Sequence, residues 1–211
     1  IIILLCIFGL SNSLAIEPDV FVQSTIIRAT DVLSKDSSKE EKINQLKKIA
    51  KDTVDIKRIG FYTLGPKRKS LTEDQIKEYH QLFEQYFLTS FSNRLVVYSK
   101  PTIDVYNKEI LSEKFVIVNS LLKGTDERPE VKIDWRIYTK NPDNPLIRDL
   151  IIEGLSLART QKEEFASILN SNDGEINALF KALEKFSKNW LLKMVGPPGL
   201  EPGTNTLWVY C

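Results

Sequence analysis

Apolar positions follow two rhythms along this chain, and the switches between them divide it into three parts. From Glu17 to about Asn93 the spacing is helical. Pro18 suits a first helical turn, and Val22, Ile26, Ala29 and Leu33 then share one face. Ser38, Lys39, Glu40 and Glu41 form a capping-box pattern ahead of a stripe through Ile43, Leu46, Ile49 and Ala50. Thr72 to Gln75 is a second such box, opening a longer helix with Ile76, Tyr79, Phe83, Phe87 and Phe91 on one side. Between these two, Gly65-Pro66 stops an element and Lys67, Arg68 and Lys69 crowd the connection. Three or four helices are expected here.

After Arg94 the period becomes two. RLVVYSKPTIDVY, EKFVIVNSLLKG, PEVKIDWRIYT and NPLIRDLIIEG read as four antiparallel strands, with breaks at Lys108, Gly124, Asp126, Pro129, Asn141, Pro142 and Asn144. In the third, Val131, Ile133, Trp135 and Ile137 alternate with Lys132, Asp134, Arg136 and Tyr138, which predicts one apolar and one wet face. Helical spacing then returns. Thr160 to Glu163 looks like a third capping box, with Phe165, Ile168 and Leu169 behind it. A last helix from about Asp173 carries Ile176, Leu179, Phe180, Leu183, Phe186 and Trp190 on one side. Helices, then strands, then helices imply an α+β fold: N-terminal helices, a four-stranded antiparallel sheet and C-terminal helices covering its apolar face.

At 211 residues the chain suits one domain with a full core, here expected over residues 16–193. The opening IIILLCIFGLSNSLA is uncharged and ends on the small residues Ser13 and Ala15, so residues 1–15 read as a signal peptide lacking its n-region. Its apolar run of about ten residues is shorter than the ~20 needed to span a bilayer. From Val195 onward, VGPPGLEPGTNTLWVYC is rich in breakers, and residues 194–211 are expected to be a disordered tail. Cationic and acidic residues nearly cancel at +1, which removes the long-range field a nucleic-acid binder uses. Cys6 and Cys211 sit at the two extremes, leaving no internal disulfide or thiolate pair in the expected domain.

The block Gly154-Leu155-Ser156-Leu157-Ala158 is one residue from the G-x-S-x-G elbow and stands where a strand meets a helix. A hydrolase of that kind needs a histidine after the serine, and the sole histidine, His80, precedes it in a polar position of a helix, where a surface imidazole is expected. Ser156 is therefore read as satisfying nearby backbone groups, with Gly154 supplying conformational freedom for the strand to leave the sheet and Thr160 starting the next helix. Asp149 and Glu153 read as surface ion partners for Arg136 or Arg148. One histidine cannot build a metal cluster, and no phosphate-binding glycine pattern occurs. The chain reads as a binder, with no cofactor and no metal.

DIKRIGFYTLG, the box through Gln75, the aromatic helix through Phe83 and Phe87, and DLIIEGLSLARTQKEEFASIL followed by an amphipathic helix occur here in one order. In this the chain resembles the MlaC (toluene-tolerance) family of periplasmic phospholipid carriers, from about Glu17 to Trp190. It departs from the family where Arg68 and Pro145 stand in place of frequent tryptophans. The resemblance implies an apolar pocket for phospholipid tails. It also implies a monomer that shuttles between an outer-membrane lipoprotein complex and an inner-membrane ABC transporter, with ATP used by the partner alone, to maintain outer-membrane lipid asymmetry.

Elementary energetics agrees with such a role. A two-chain lipid leaving a bilayer exposes roughly thirty methylenes at ~0.8 kcal/mol each, on the order of 20 kcal/mol, so a carrier must replace that contact with its own apolar surface. The candidates to line it are the inward sheet residues Val116, Val118, Val131, Ile133, Trp135, Leu150 and Ile152, with Phe83 and Phe87 from the facing helix. Each is equally a candidate for ordinary core. Lys67, Arg68 and Lys69 are candidates for a headgroup or partner contact. The competing reading is an exported adaptor that uses the same scaffold without a ligand.

Overall fold

A computed structural model of the chain describes residues 15–126 and 128–195, with side chains as far as Lys188. Four helices come first: α1 (Pro18–Ser34), α2 (Lys39–Thr53), α3 (Ile56–Thr63) and, after a 3-10 turn at Gly65–Lys69, α4 (Glu73–Leu95). Five strands follow, β1 (Ile103–Ser112), β2 (Phe115–Leu122), β3 (Val131–Tyr138), β4 (Leu146–Ile152) and the two-residue β5 (Leu155–Ser156), and then α5 (Leu157–Asn170) and α6 (Ile176–Val195). The strands form one antiparallel sheet in sequence order. The α+β expectation holds, with β5 added as a short fifth strand. The expected signal segment lies outside the described residues except for Ala15, and so does the expected tail beyond Val195.

The helix starts at Ser38 and Thr72 follow the sequence closely. Both are reciprocal capping boxes, Ser38 with Glu41 and Thr72 with Gln75, so two orphan donors are satisfied at each end. Elsewhere distant parts of the chain set the boundary. Asp55 caps α3 by accepting from the Arg58 backbone N–H, and its other oxygen holds the Arg148 guanidinium from β4 at 2.9 Å. Helix α5 starts at Leu157, not at Thr160: Ser156 is the cap, accepting from the Arg159 N–H, and the Thr160 hydroxyl donates back to the Ser156 carbonyl inside the first turn. Helix α6 starts three residues after Asp173, because Asp173 and Gly174 both adopt positive φ, which ends one helix and cannot begin another.

Helices α1, α3 and α5 lie against the sheet, α1 on β1 and β2, α3 and α5 on β4. Helix α4 makes its closest backbone packing with α2, α3 and α6. Gly60 lets α3 approach it, since a Cβ there would stand 2.8 Å from the Phe83 ring. Large side chains fill the space within. Tyr79, Phe83, Tyr86 and Phe165 meet in edge-on and offset arrangements that ring quadrupoles favour. The main core joins these rings to Val116, Val118, Trp135 and Ile137 of the sheet.

Candidate functional site

The inner face of the sheet is built in four cross-strand rows, because antiparallel pairing puts side chains of partnered residues side by side. Across β2, β3 and β4 burial falls steadily along these rows, whereas at the β1 edge Ile110, the partner of Val116, is 83% exposed. Val116, Ile137 and Ile147, partners across β2, β3 and β4, are buried, and Ile137 is wholly so. In the next row Val118 and Trp135 are buried while Leu150 is half-buried. In the third row Val105, Ile133 and Ile152 are half-buried around a buried Ser120. In the last, Ile103, Leu122 and Val131 are all half-buried. The same kinds of side chain are thus closed at one end of the sheet and open at the other.

Helix α4 shows the same gradient along its length. Tyr79 and Phe83 are fully inside, whereas Phe87 and Phe91, one and two turns further on, are half-buried and stacked with centroids 5.8 Å apart. Phe87, Phe91, Ile103, Val105, Ile133 and Leu150 all pack on the same main core. Leaving such side chains part-exposed forgoes a share of the ~1.5–3 kcal/mol each would contribute if covered. An apolar partner laid on this end would recover that share.

Polar groups within the face are neutralised. The Trp135 indole N–H donates to the Ser120 hydroxyl at 2.8 Å, and that hydroxyl donates to the Ile133 carbonyl at 3.0 Å. The buried Tyr79 hydroxyl meets Thr63 Oγ1 at 2.8 Å, and burial pushes its pKa far above the ordinary value for a phenol. At the β1 edge, Lys108 Nζ is clamped between Glu17 and Asp19 at 2.6 and 2.7 Å, tying the start of α1 to the sheet. The hydrogen bond from Lys108 holds the Asp19 carboxyl below its usual range. The outer face is wet, as its alternation predicts: Asn107, Asn119 and Asp134 form a hydrogen-bonded ladder, and Arg148 lies 3.7 Å from the Tyr138 ring centroid.

The structure separates the sequence-predicted lining residues into two groups. Phe83, Val116, Val118 and Trp135 are buried and serve as core, while Phe87, Ile133 and Leu150 border that core part-exposed, with Val131 and Ile152 at the open margin. Ile103, Val105, Leu122 and Phe91 share the part-exposed placement of the second group and were not among the candidates read from the sequence. Ile103 and Val105 flank Asp104 in a period-two pattern, and Phe91 is one turn beyond Phe87, so both signals were present in the sequence. Lys67 is half-buried on the 3-10 turn, and Arg68 and Lys69 are exposed.

Two polar expectations are corrected. Asp149 is not a surface ion partner: it is buried, accepting from the Ser156 hydroxyl at 2.5 Å and the Ala158 N–H at 3.0 Å. Burial raises its pKa, against the opposing effects of those hydrogen bonds and of Arg136. Arg148 pairs with Asp55 instead. Ser156, donating to Asp149 and capping α5, is the joint between β4 and the helix, and Gly154 beside it has φ +82°. His80 is not a surface imidazole either. It is half-buried against Phe61 at 5.1 Å, both ring nitrogens are shielded without a hydrogen-bond partner among the described residues, and burial followed by the charge of Lys57 lowers its pKa. His80 lines a separate cleft of about 440 Å³ between α3 and α4, whose wall mixes Ile56, Phe61 and Ile76 with Lys57, Lys77, Glu73 and Glu84.

Among solved structures, the fold is similar to that of a phospholipid-binding protein from Ralstonia solanacearum in complex with a phospholipid, at a TM-score of 0.70 and 17% sequence identity, covering 83% of this chain and 99% of that one. No curated protein matches the chain. The MlaC protein family matches residues 23–185, most of the described chain, and the protein is therefore a member of the MlaC family.

Proposed function

We propose that this protein is a phospholipid carrier of the periplasm. Acyl chains lie on the half-buried apolar rows of β1 to β4 and against Phe87 and Phe91, and the carrier moves its cargo between an outer-membrane lipoprotein complex and an inner-membrane ABC transporter. Its role is to maintain outer-membrane lipid asymmetry. The observation that carries this reading is the burial gradient, which leaves seven aliphatic side chains of one sheet face part-exposed next to a complete core. Membership of the MlaC family and the phospholipid bound in a protein of similar fold support it. The carrier moves lipid without transforming it, and Ser156 and Asp149 are occupied in holding the β4 to α5 joint.

The test is native mass spectrometry of protein purified without detergent from a lipid-containing host. A mass excess that fragments to phospholipid is expected. Protein that emerges free of lipid, and stays free after incubation with phospholipid vesicles, would favour a ligand-free adaptor.

A further inference from the structure

Between Ile56 and Lys69 the chain carries five cations and no acidic residue, although the whole protein is balanced at +1. The fold adds to this run. Lys162 of α5 lies over the 3-10 turn, its Cε 3.2 Å from where a side chain on Gly65 would begin, and its ammonium stands 5.1 Å from the centroid of the Tyr62 ring. The outer side of α3, the 3-10 turn and the start of α5 thus gather Arg58, Lys67, Arg68, Lys69 and Lys162, while Lys57 turns into the α3–α4 cleft beside Glu73 and Glu84. None of the five forms an ion pair among the described residues, whereas Lys51, Lys108, Lys123 and Arg148 elsewhere do. Asp173 and Glu175 flank Gly174, the glycine nearest Lys67 Nζ, yet neither reaches ion-pair distance of it. Within the fold Arg68 donates to the Phe61 carbonyl at 3.4 Å and Lys162 lies over the Tyr62 ring, and neither contact brings a carboxylate to the charge.

We infer that this basic face docks the protein on an anionic phospholipid bilayer. Three of the five cations are lysines, flexible point charges suited to a smeared field of mobile headgroups, where a fixed carboxylate pattern would favour the bidentate fork of arginine. Tyr62 is 42% exposed with an ammonium above it, the amphipathic ring and cation pairing that suits the headgroup layer. With these five set aside, the rest of the chain holds 24 cations against 28 acids, so the attraction also orients the molecule, turning α3 and the 3-10 turn toward the bilayer. This inference does not depend on cargo, since a protein without lipid would present the same face.

The experiment is co-sedimentation of the full chain with phosphatidylcholine vesicles, with and without 30 mol% phosphatidylglycerol, at two ionic strengths. Binding to the anionic vesicles alone is expected, weakening as salt rises. The combined variant Lys67→Gln, Arg68→Gln, Lys69→Gln should reduce the partition constant about a hundredfold, at about fivefold per cation removed. A control with the same change in net charge spread over Lys39, Lys48 and Lys114 should reduce it only a few-fold, and thermal melts would establish that both variants fold. Equal losses in the two variants would overturn the inference. So would absence of any preference for anionic vesicles, which would instead point to an acidic protein as the occupant. Bound lipid measured by mass spectrometry on the same samples keeps a failure of docking distinct from a failure of the carrier reading.

Discussion

The two ends of the sheet's inner face are made of the same residues and do different work. At one end Val116, Ile137 and Ile147 are sealed beneath the helices, and at the other Ile103, Val105, Val131 and Ile133 stop half-way in. A folding core gains by covering such side chains, and at the open end seven of them on one face remain available to an apolar partner. The comparison teaches that depth, more than residue type, distinguishes core from binding surface here. Helix α4 repeats the lesson in a single element, with Phe83 inside and Phe87 part-exposed one turn later.

The largest effect should come from that pair of phenylalanines. Phe83→Ala removes a ring packed on Tyr79, Tyr86 and Phe165 and on Gly60, and should destabilise lipid-free protein by about 3–5 kcal/mol in urea unfolding. Phe87→Ala removes a half-buried ring and should cost about 1 kcal/mol, a part of the ~1.5–3 kcal/mol that full burial contributes, and should also lower lipid occupancy. Equal costs at the two sites would erase the distinction drawn between them.

Next in size is the joint. Ser156→Ala removes the α5 cap and one of the two donors to buried Asp149, an expected loss of about 1–2 kcal/mol with lipid occupancy unchanged. A loss of lipid without loss of stability would place Ser156 at the site and not at a joint.

A smaller effect concerns pH. Glu164 is half-buried beside Gln161, which also accepts from the Tyr86 hydroxyl, and burial pushes its carboxyl up to about 7. The folded protein therefore holds this proton more tightly than the unfolded chain does. Its stabilising contribution, full below the unfolded value near 4.5, is lost as pH rises through 7. Glu164→Gln should flatten stability between pH 5 and 8, adding about 1 kcal/mol at pH 8 once solvent screening of a half-exposed group is allowed for, as read by thermal melts. An unchanged pH slope would show that the group is not perturbed.

Much of this architecture was legible in the sequence where its causes are local. Reciprocal boxes at Ser38 and Thr72 announce their helices because both partners lie within four residues. The alternation from Val131 to Tyr138 likewise separates the inner from the outer face of β3. Where causes are distant, the reading slipped. Thr160 imitates a box, but the true cap at Ser156 is held by an aspartate seven residues back on β4, and Asp55 combines a local cap with a partner 93 residues away. Periodicity placed Trp135 and Ile133 on one face correctly and could not tell that the first is core and the second part-exposed, because depth depends on which helices cover each row. His80 misled for the same reason: its polar position along α4 is covered by Phe61 of α3.

The central claim, that the open end holds acyl chains, is tested most directly by photocrosslinking. Protein loaded with a phospholipid bearing a photoactivatable group near an acyl terminus would be irradiated, digested and sequenced by mass spectrometry. Adducts should concentrate on Phe87, Phe91, Ile103, Val105, Ile133 and Leu150. Adducts confined instead to the α3 and α4 cleft around Phe61, Ile76 and His80 would contradict the account and move the lipid to the other side of α4.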